Sequence, residues 1–217
     1  MGAYSGIVSL ISDACGFARS MKYPESSICV LGCNESELKD KFPLVYENLL
    51  SCSHNRDKRG VMEYGRDLVA SWLFEDYIIH GLSECGLEIG KNGTDRNREI
   101  LSSNNVSHTS DCTVRVNGKE RCVELMCDYS GWWKRTGNVD LRDHKYEVMA
   151  QENSMLLGIS FADKSYFLIG DMASEKAQYI PQHKPYGNKP AYRINVTEND
   201  LKPIDFNKIS DEIRKFI

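Results

Sequence analysis

Two carboxylates stand on either side of a predicted β-hairpin, at a spacing that could bring them together. Asn117 and Gly118 lie between two runs in which polar and apolar residues alternate. Asn-Gly is the strongest short-range signal for a two-residue hairpin loop, because both residues tolerate a positive φ. Such a loop makes the numbers of paired residues add up to 235, which places Asp111 opposite Glu124. The sequence therefore predicts two acids side by side on one face of the hairpin.

The chemistry that this acid pair favours is the binding of a divalent cation. Opposed residues on two strands hold their Cβ atoms roughly 4.5–5.5 Å apart, and like charges at that distance destabilise the sheet. A hard cation removes the repulsion, and Mg²⁺ often takes one or two carboxylates together with water and phosphate. We expect Mg²⁺ on Asp111 and Glu124, with Mn²⁺ as a substitute and the Leu125 backbone carbonyl as a further ligand. The alternative is a hairpin with two acids on a solvated face.

The same hairpin resembles the core of the PD-(D/E)xK nuclease superfamily. In that pattern an acid opens one strand, which Asp111 matches, and an acid-x-Lys sequence lies on the next strand, where Glu124 matches the acid. The resemblance covers roughly residues 60–170 and implies an αβββαβ core with a metal-dependent nuclease site. In this family the helix before the hairpin often adds an accessory acid, for which Glu63 and Asp67 are the candidates.

Met126 is the departure from the family pattern, because it stands where lysine is usual. That lysine is thought to orient or activate the attacking water, which methionine cannot do. The lysine comes from elsewhere, or the protein is a non-catalytic relative, or Met126 is an introduced inactivating substitution. Lys145 is the best replacement, since it lies on the inward stripe of the next predicted helix, as in viral cap-snatching endonucleases of the superfamily. The alternatives are a lysine that extends to solvent, and Lys134 in a predicted loop.

Basic and aromatic residues follow the second strand of the hairpin, near the edge along which nucleic acid passes in this superfamily. Lysine and arginine contact phosphates, and tryptophan packs on a sugar or base. The candidate nucleic-acid-binding residues are Lys134, Arg135, Arg142 and His144, with Trp132 and Trp133 beside them. The alternative is that one tryptophan belongs to the core and the basic pair is solvated. Segments 54–59 and 183–193 are further contact candidates.

The composition limits the class of protein. With 41% hydrophobic and 27% charged residues, the 217-residue chain is neither wholly disordered nor a membrane bundle. The net charge of −4 argues against a basic coat that binds nucleic acid non-specifically, although a local basic cleft is compatible with it. No signal peptide opens the chain, so we expect a cytoplasmic protein with reduced cysteines and no membrane span.

The cysteines offer a rival metal site. Cys29, Cys33 and Cys52 together with His54 form two pairs of soft or borderline ligands, which zinc accepts. Their spacing is not one of the tight zinc patterns, and free cysteine is commonly buried as a small hydrophobic residue. Magnesium on the acid pair is therefore the principal expectation, and zinc is the alternative.

The elements that must position the acid pair follow an α/β (α+β) pattern. The pattern predicts helices over 1–21, 61–79, 141–151 and 205–217, strands over 112–116, 121–129, 155–161 and 166–170, and loops over 130–138 and 174–193. Ser36 is expected to cap a further helix, which Pro43 interrupts or restarts. These elements suit a restriction-endonuclease-like core, in which helices flank a central mixed sheet.

We expect a single nuclease-like domain over residues 1–217. Its helical N-terminal part covers 1–60, its catalytic core 61–170, and its C-terminal loop and helix 171–217. The length suits one catalytic domain that contains its own recognition elements.

Three functions fit these residues. The first is a Mg²⁺-dependent endonuclease that cleaves double-stranded DNA, most like a sequence-specific type II restriction enzyme, and homodimeric because a two-fold protein matches a palindromic site. The second is an RNA endonuclease of the viral cap-snatching type, which Lys145 favours, although no histidine lies on the expected active face of the first core helix. The third is a catalytically dead nuclease fold that only binds nucleic acid, which Met126 favours and the two acids disfavour.

Overall fold

The fold is a mixed α/β arrangement, as the sequence predicts. The computed structural model describes residues 6–7, 11–56, 59–93, 95–101 and 109–217. Within these residues a central mixed sheet of six strands is accompanied by helices, and a second sheet has three strands. None of the described helices is both long and apolar enough to cross a membrane.

The chain divides into two compact units. The first comprises Met1–Ile78 and Thr94–Ser107, and the second comprises Ile79–Gly93 and His108–Ile217. The described elements of the first unit are helical, and all described strands lie in the second unit. The interpretation of residues 1–217 as a single domain stays a prediction.

The first unit is built from short capped helices. They are α1 (Ala14–Ser20), α2 (Glu25–Gly32), α3 (Glu35–Lys41), α4 (Pro43–Arg56) and α5 (Val61–Glu84), the last of which continues into the second unit. The cap of α3 is Asn34 rather than the predicted Ser36: its side chain accepts a hydrogen bond from the Glu37 N–H, and the Glu37 carboxylate accepts one from the Asn34 N–H. This reciprocal pair satisfies two otherwise unbonded N–H groups at the helix start.

The second unit alternates strands and helices. Its elements are β1 (Glu88–Lys91), β2 (Cys112–Val116), β3 (Lys119–Asp128), α6 (Trp132–Thr136), β4 (Asn138–Arg142), α7 (Asp143–Gln151), β5 (Met155–Ser160), β6 (Ser165–Ile169), β7 (Ala177–His183), a 3₁₀ turn (Lys184–Tyr186), β8 (Lys189–Asn195), β9 (Lys202–Pro203) and α8 (Phe206–Arg214). The six-stranded sheet has the order β1-β2-β3-β5-β6-β9. Its strand pairs are antiparallel except for β3 and β5, which run parallel and are joined through α7.

The predicted hairpin and its register are confirmed. Val116 pairs with Lys119 across the turn, and the ladder runs in the predicted register to the start of β2. Asn117 has φ 51° and Gly118 has φ 80°, which are the positive values that a two-residue turn of this kind requires. Because strand side chains alternate between the faces, this turn decides which side chains of β3 share a face with the end of β2.

The two faces of the six-stranded sheet pack against different helices of the second unit. On one face, Met149 of α7 belongs to a buried cluster with Trp133, Leu156 and Phe167. On the other face, α8 buries Ile209 and Ile213, and the Tyr166 hydroxyl donates to Glu212 at 3.1 Å. The amphipathic helix predicted over 205–217 is thus present as α8, which Asp205 caps through its side chain.

The segment after the hairpin differs from the prediction. The expected loop over 130–138 contains α6, and the expected helix over 141–151 begins at Asp143, because Asn138–Arg142 forms β4. The strand pattern of β4 is short, and its partner β8 lies far along the chain. The helical periodicity therefore predicted a helix that starts too early, at residue 141.

The expected long loop over 174–193 is also wrong. Ala177–His183 and Lys189–Asn195 form the β7–β8 hairpin around the 3₁₀ turn. Three prolines and a glycine in this stretch suggest a loop by composition. Pro181 falls where the β7–β8 register shifts, a position at which a strand tolerates the missing N–H.

The strands β4, β8 and β7 form the three-stranded sheet, which we call the basic sheet. Asp140 contacts charged or polar side chains from both of the other strands. Arg193 donates to both of its carboxylate oxygens, at 2.7 and 2.9 Å, and His183 Nε2 lies 2.8 Å from its Oδ2. The Tyr186 hydroxyl donates to the Asp140 carbonyl at 2.6 Å. Burial alone would raise the pKa of Asp140, but the hydrogen bonds from Arg193 and His183 outweigh it and lower that pKa.

We expect Asp140→Asn to destabilise the protein by about 1–3 kcal/mol at neutral pH, because it weakens charge-assisted hydrogen bonds to a partly buried group. A carboxyl group whose pKa is lowered by folding stabilises the folded state at pH values above its ordinary pKa. This contribution is lost as the pH falls through the pKa of the folded state. The difference from wild type should therefore shrink in acid. Urea unfolding at several pH values measures it, with the exposed Asp211→Asn as control. Equal stabilities for the two variants would contradict the role of Asp140.

Candidate active site

Asp111 lies directly before β2 and continues the hairpin register. One further pair beyond the ladder places it beside Glu124. Its Oδ2 accepts a hydrogen bond from the Leu125 N–H at 2.8 Å, and its carbonyl accepts one from the Asn92 N–H at 2.9 Å. In an extended strand the N–H and C=O of one residue point to the same side, so the Leu125 carbonyl is directed towards the side of Asp111.

Glu124 is buried in β3, with only 8% of its surface exposed. Its Oε2 lies 2.7 Å from the Nζ of Lys145, which sits in the first turn of α7. Because α7 packs on the face of the sheet that carries Glu124, a long side chain in its first turn reaches the edge where the hairpin begins. The structure thus brings together three of the predicted site residues: Asp111, Glu124 and Lys145.

The electrostatics of this group disfavour a charged Glu124 when no cation is added. Burial raises the pKa of Glu124 most, and the neighbouring Asp111 carboxylate raises it further. Lys145 and a backbone hydrogen bond at Asp111 oppose these effects without cancelling them, so the pKa of Glu124 lies at about 8. One lysine is therefore insufficient to balance two carboxylates in this environment.

Met126 does not take part in this polar group. It is half-buried and packs against the apolar cluster around Trp133 and Phe167. In the sheet register Met126 lies beside Gly158, where an added Cβ would meet the Phe167 ring at 2.1 Å. The surroundings of Met126 are thus apolar, and the lysine that contacts Glu124 belongs to α7.

The donor set suits a hard cation with few protein ligands. Among the residues that the structure describes, no group of three or more His, Cys, Asp and Glu side chains is arranged to hold a metal ion. Two carboxylates and the Leu125 carbonyl are oxygen donors, and Mg²⁺ commonly completes its shell with water and substrate phosphate. The residues therefore fit a magnesium ion that is coordinated by protein and phosphate oxygens together. They do not fit an ion whose ligands all come from the protein.

The accessory acids of the preceding helix lie in the first unit. Glu63 is exposed on α5, and Asp67 forms an ion pair with Arg59 at 2.6 Å. Their part in the site stays a prediction.

The candidate nucleic-acid-binding residues are on the surface of the second unit. Lys134 and Arg135 are exposed on α6, where the Arg135 guanidinium stacks over Trp132, which is 41% exposed. Trp133 is only 4% exposed and belongs to the core, as one of the sequence interpretations held. Arg142 and His144 are also exposed, and they flank the start of α7. Whether these residues contact nucleic acid stays a prediction.

The cysteines give little support to a zinc site. The thiols of Cys29 and Cys52 donate to the carbonyls of Ser26 and Leu101. Burial raises the pKa of Cys29 to about 11, which disfavours the thiolate that zinc requires. The side chain of the fourth candidate ligand, His54, lies outside the described residues.

One charged group of the second unit was missed in the sequence, namely Asp140 with His183 and Arg193. No local signal pairs these residues, because they come from strands distant in sequence.

No known family model matches the chain, and no characterised protein matches it significantly.

We expect Glu124→Gln, measured with EDTA, to flatten the dependence of stability on pH. A carboxyl group whose pKa is raised by folding favours the folded state most at pH values below its ordinary pKa near 4.5. This advantage is lost as the pH rises to about 8, the pKa of Glu124 in the folded state. The unfolding free energy of wild type should fall relative to the variant by about 3–5 kcal/mol across that window. Chemical unfolding between these pH values tests it. The matched control is Glu120→Gln, an exposed acid on the same strand; parallel profiles for wild type and Glu124→Gln would refute the shift.

Proposed function

We propose that the protein is a Mg²⁺-dependent endonuclease that hydrolyses phosphodiester bonds in double-stranded DNA. The observation that carries this proposal is the meeting of Asp111, Glu124 and Lys145 at the base of the β2–β3 hairpin. Two neighbouring carboxylates can supply ligands for a metal ion, and a lysine ammonium beside them can supply a further positive charge, as metal-assisted phosphoryl transfer requires.

The order of elements supports the same proposal. Helix α5 is followed by the antiparallel strands β1, β2 and β3, and then by α7 and the parallel strand β5. This is the αβββαβ sequence of elements that the resemblance to PD-(D/E)xK nucleases implies. The insertion of α6 and β4 between β3 and α7 is an addition to that core.

The roles of the residues follow from their positions. Asp111 and Glu124 would hold Mg²⁺, with the Leu125 carbonyl beside them. When bound, the ion lowers the pKa of a coordinated water and neutralises charge on the scissile phosphate. Lys145 holds a positive charge beside Glu124, in the same polar group as the two acids. It can donate hydrogen bonds to the attacking water or to the phosphate oxygens.

The finer assignment is a sequence-specific restriction-type enzyme that acts as a homodimer, because a two-fold arrangement matches a palindromic site. A second candidate is an RNA endonuclease of the cap-snatching type. The placement of the lysine on the helix after the hairpin, rather than on β3, favours it. A fold that binds nucleic acid without cleaving it is the third, supported by Met126.

One experiment separates these functions. The protein is incubated with plasmid DNA and with single-stranded RNA, each with Mg²⁺, Mn²⁺ or EDTA. Discrete metal-dependent DNA fragments support the restriction-type enzyme, and degradation of RNA alone supports the second candidate. Intact DNA and RNA in every lane would overturn the nuclease proposal in favour of a binding protein, provided that Met126→Lys is also inactive.

We expect Asp111→Asn and Glu124→Gln each to reduce metal-dependent cleavage below detection, because each removes a charged ligand of the ion. Both variants should remain folded, and the melting temperature with EDTA should be unchanged or higher, since repulsion between the two acids is relieved. Gel assays of cleavage and thermal melting measure the two effects, with Glu120→Gln as the matched control. Wild-type cleavage by either variant would remove that residue from the site.

We expect Lys145→Met to slow single-turnover cleavage by about 10²–10³, which is the usual cost of losing one transition-state donor. DNA affinity should change little, because Lys145 is engaged with Glu124 in the interior of the site. Met126→Lys in the same background should recover part of the rate, and only part, since position 126 faces an apolar cluster.

The control for Lys145→Met is Lys208→Met, which removes an exposed lysine from α8. If Lys145→Met cleaves as fast as this control, the helix lysine has no role in the reaction.

A further inference from the structure

The basic sheet concentrates positive charge in an otherwise acidic chain. Its segments, residues 138–142 and 177–195 with the 3₁₀ turn, contain four lysines and arginines and one acid, a net charge of +3. The four cations are Arg142, Lys184, Lys189 and Arg193. The whole chain carries −4, so this sheet differs in sign from the molecule that carries it. A local field of this kind attracts polyanions whatever the net charge of the protein.

The single acid of the sheet is already neutralised within it. Asp140 binds Arg193 through two hydrogen bonds and His183 through a third. The other three cations, Arg142, Lys184 and Lys189, are exposed, and none of them lies within ion-pair distance of a carboxylate among the described residues. Their charge is therefore available to a ligand, whereas that of Arg193 is used to hold the sheet together.

The turn that carries two of these cations has a defined shape. Gly187 and Asn188 adopt φ values of 67° and 63°, which close the segment between Lys184 and Lys189 tightly. The Tyr186 hydroxyl is bonded to the Asp140 carbonyl, and the Arg142 guanidinium lies 5.6 Å from the Tyr186 ring centroid. A preorganised set of cations binds with less loss of side-chain and loop freedom than a flexible one.

The basic sheet is joined directly to the candidate active site. Arg142 ends β4, and the next residue begins α7, which carries Lys145 in its first turn. Lys145 contacts Glu124, so Arg142 is three residues along the chain from the lysine that meets the acid pair. Exposed amides that can also donate to phosphate line the same sheet, at Gln178 and Gln182.

We propose that the basic sheet binds the phosphate backbone of duplex DNA and leads it to the acid pair. The choice of duplex DNA rests on the proposed function, while the polyanionic nature of the ligand rests on the charge of the sheet. Lys184 and Lys189 are the phosphate contacts, Arg142 links the sheet to the active site, and Asp140 positions the strands without touching the ligand.

The test measures binding with no cleavage. Fluorescence anisotropy of a short labelled DNA duplex, and separately of a labelled single-stranded RNA, is followed against KCl concentration in EDTA, for wild type and Lys184→Gln/Lys189→Gln. The control is Lys208→Gln/Lys215→Gln, which removes the same charge from exposed lysines of α8 and its end. Loss of two phosphate contacts should lower the slope of log K against log salt by about 1.8, with an affinity loss of about tenfold or more at moderate salt.

Several outcomes would overturn the proposal. They are wild-type affinity and slope in Lys184→Gln/Lys189→Gln, an equal loss in the α8 control, and a loss confined to single-stranded RNA. A loss specific to the sheet variant and to duplex DNA supports it, with melting temperatures checked to show that the variants fold. Because binding is measured in EDTA, its result does not depend on cleavage. A protein that binds DNA through the basic sheet but never cleaves it would therefore contradict the proposed function alone.

Discussion

The opposition of two carboxylates across the β2–β3 hairpin is the constraint to which the surrounding structure responds. The Asn117-Gly118 turn fixes the register of the hairpin, and this register places Asp111 next to Glu124. The Leu125 N–H donates a hydrogen bond to Asp111, and the Lys145 ammonium forms an ion pair with Glu124. These contacts offset only part of the effects of burial and of the neighbouring Asp111 carboxylate, so the pKa of Glu124 stays raised.

Much of this site could be predicted because its determinants are local. A two-residue turn with residues that accept positive φ fixes pairing by counting, and the parity of the strand then assigns faces. The spacing from Lys145 to Val148 within α7 pointed that lysine inward, although Leu141, the other position used in this argument, lies on β4 and not on the helix. The α/β class followed from the alternation of strand and helix patterns, which does not depend on the identity of long-range partners.

The parts that could not be predicted depend on partners far apart in sequence. Asn138–Arg142 is too short to distinguish from a helix start, and it becomes a strand because β8 pairs with it. The prolines and glycine of 177–195 suggest a loop, yet the hairpin is held by Asp140, which belongs to another strand. The amino-acid composition of these segments does not show which strands pair. Residues 138–142 can be assigned as a strand only when their partner within 177–195 is known, and the reverse is also true.

The pairing of β4 with β8 also has a consequence for the order of folding. Asp140 and Arg193 are 53 residues apart, and α7, β5 and β6 lie between them. Closing so long a loop costs entropy that only a compact intervening chain reduces, whereas the β2–β3 hairpin closes over a few residues. We therefore expect the β2–β3 hairpin to bring the acid pair together before β4 pairs with β8. During synthesis, β4 must wait for its partner strand until the chain has been extended by those residues.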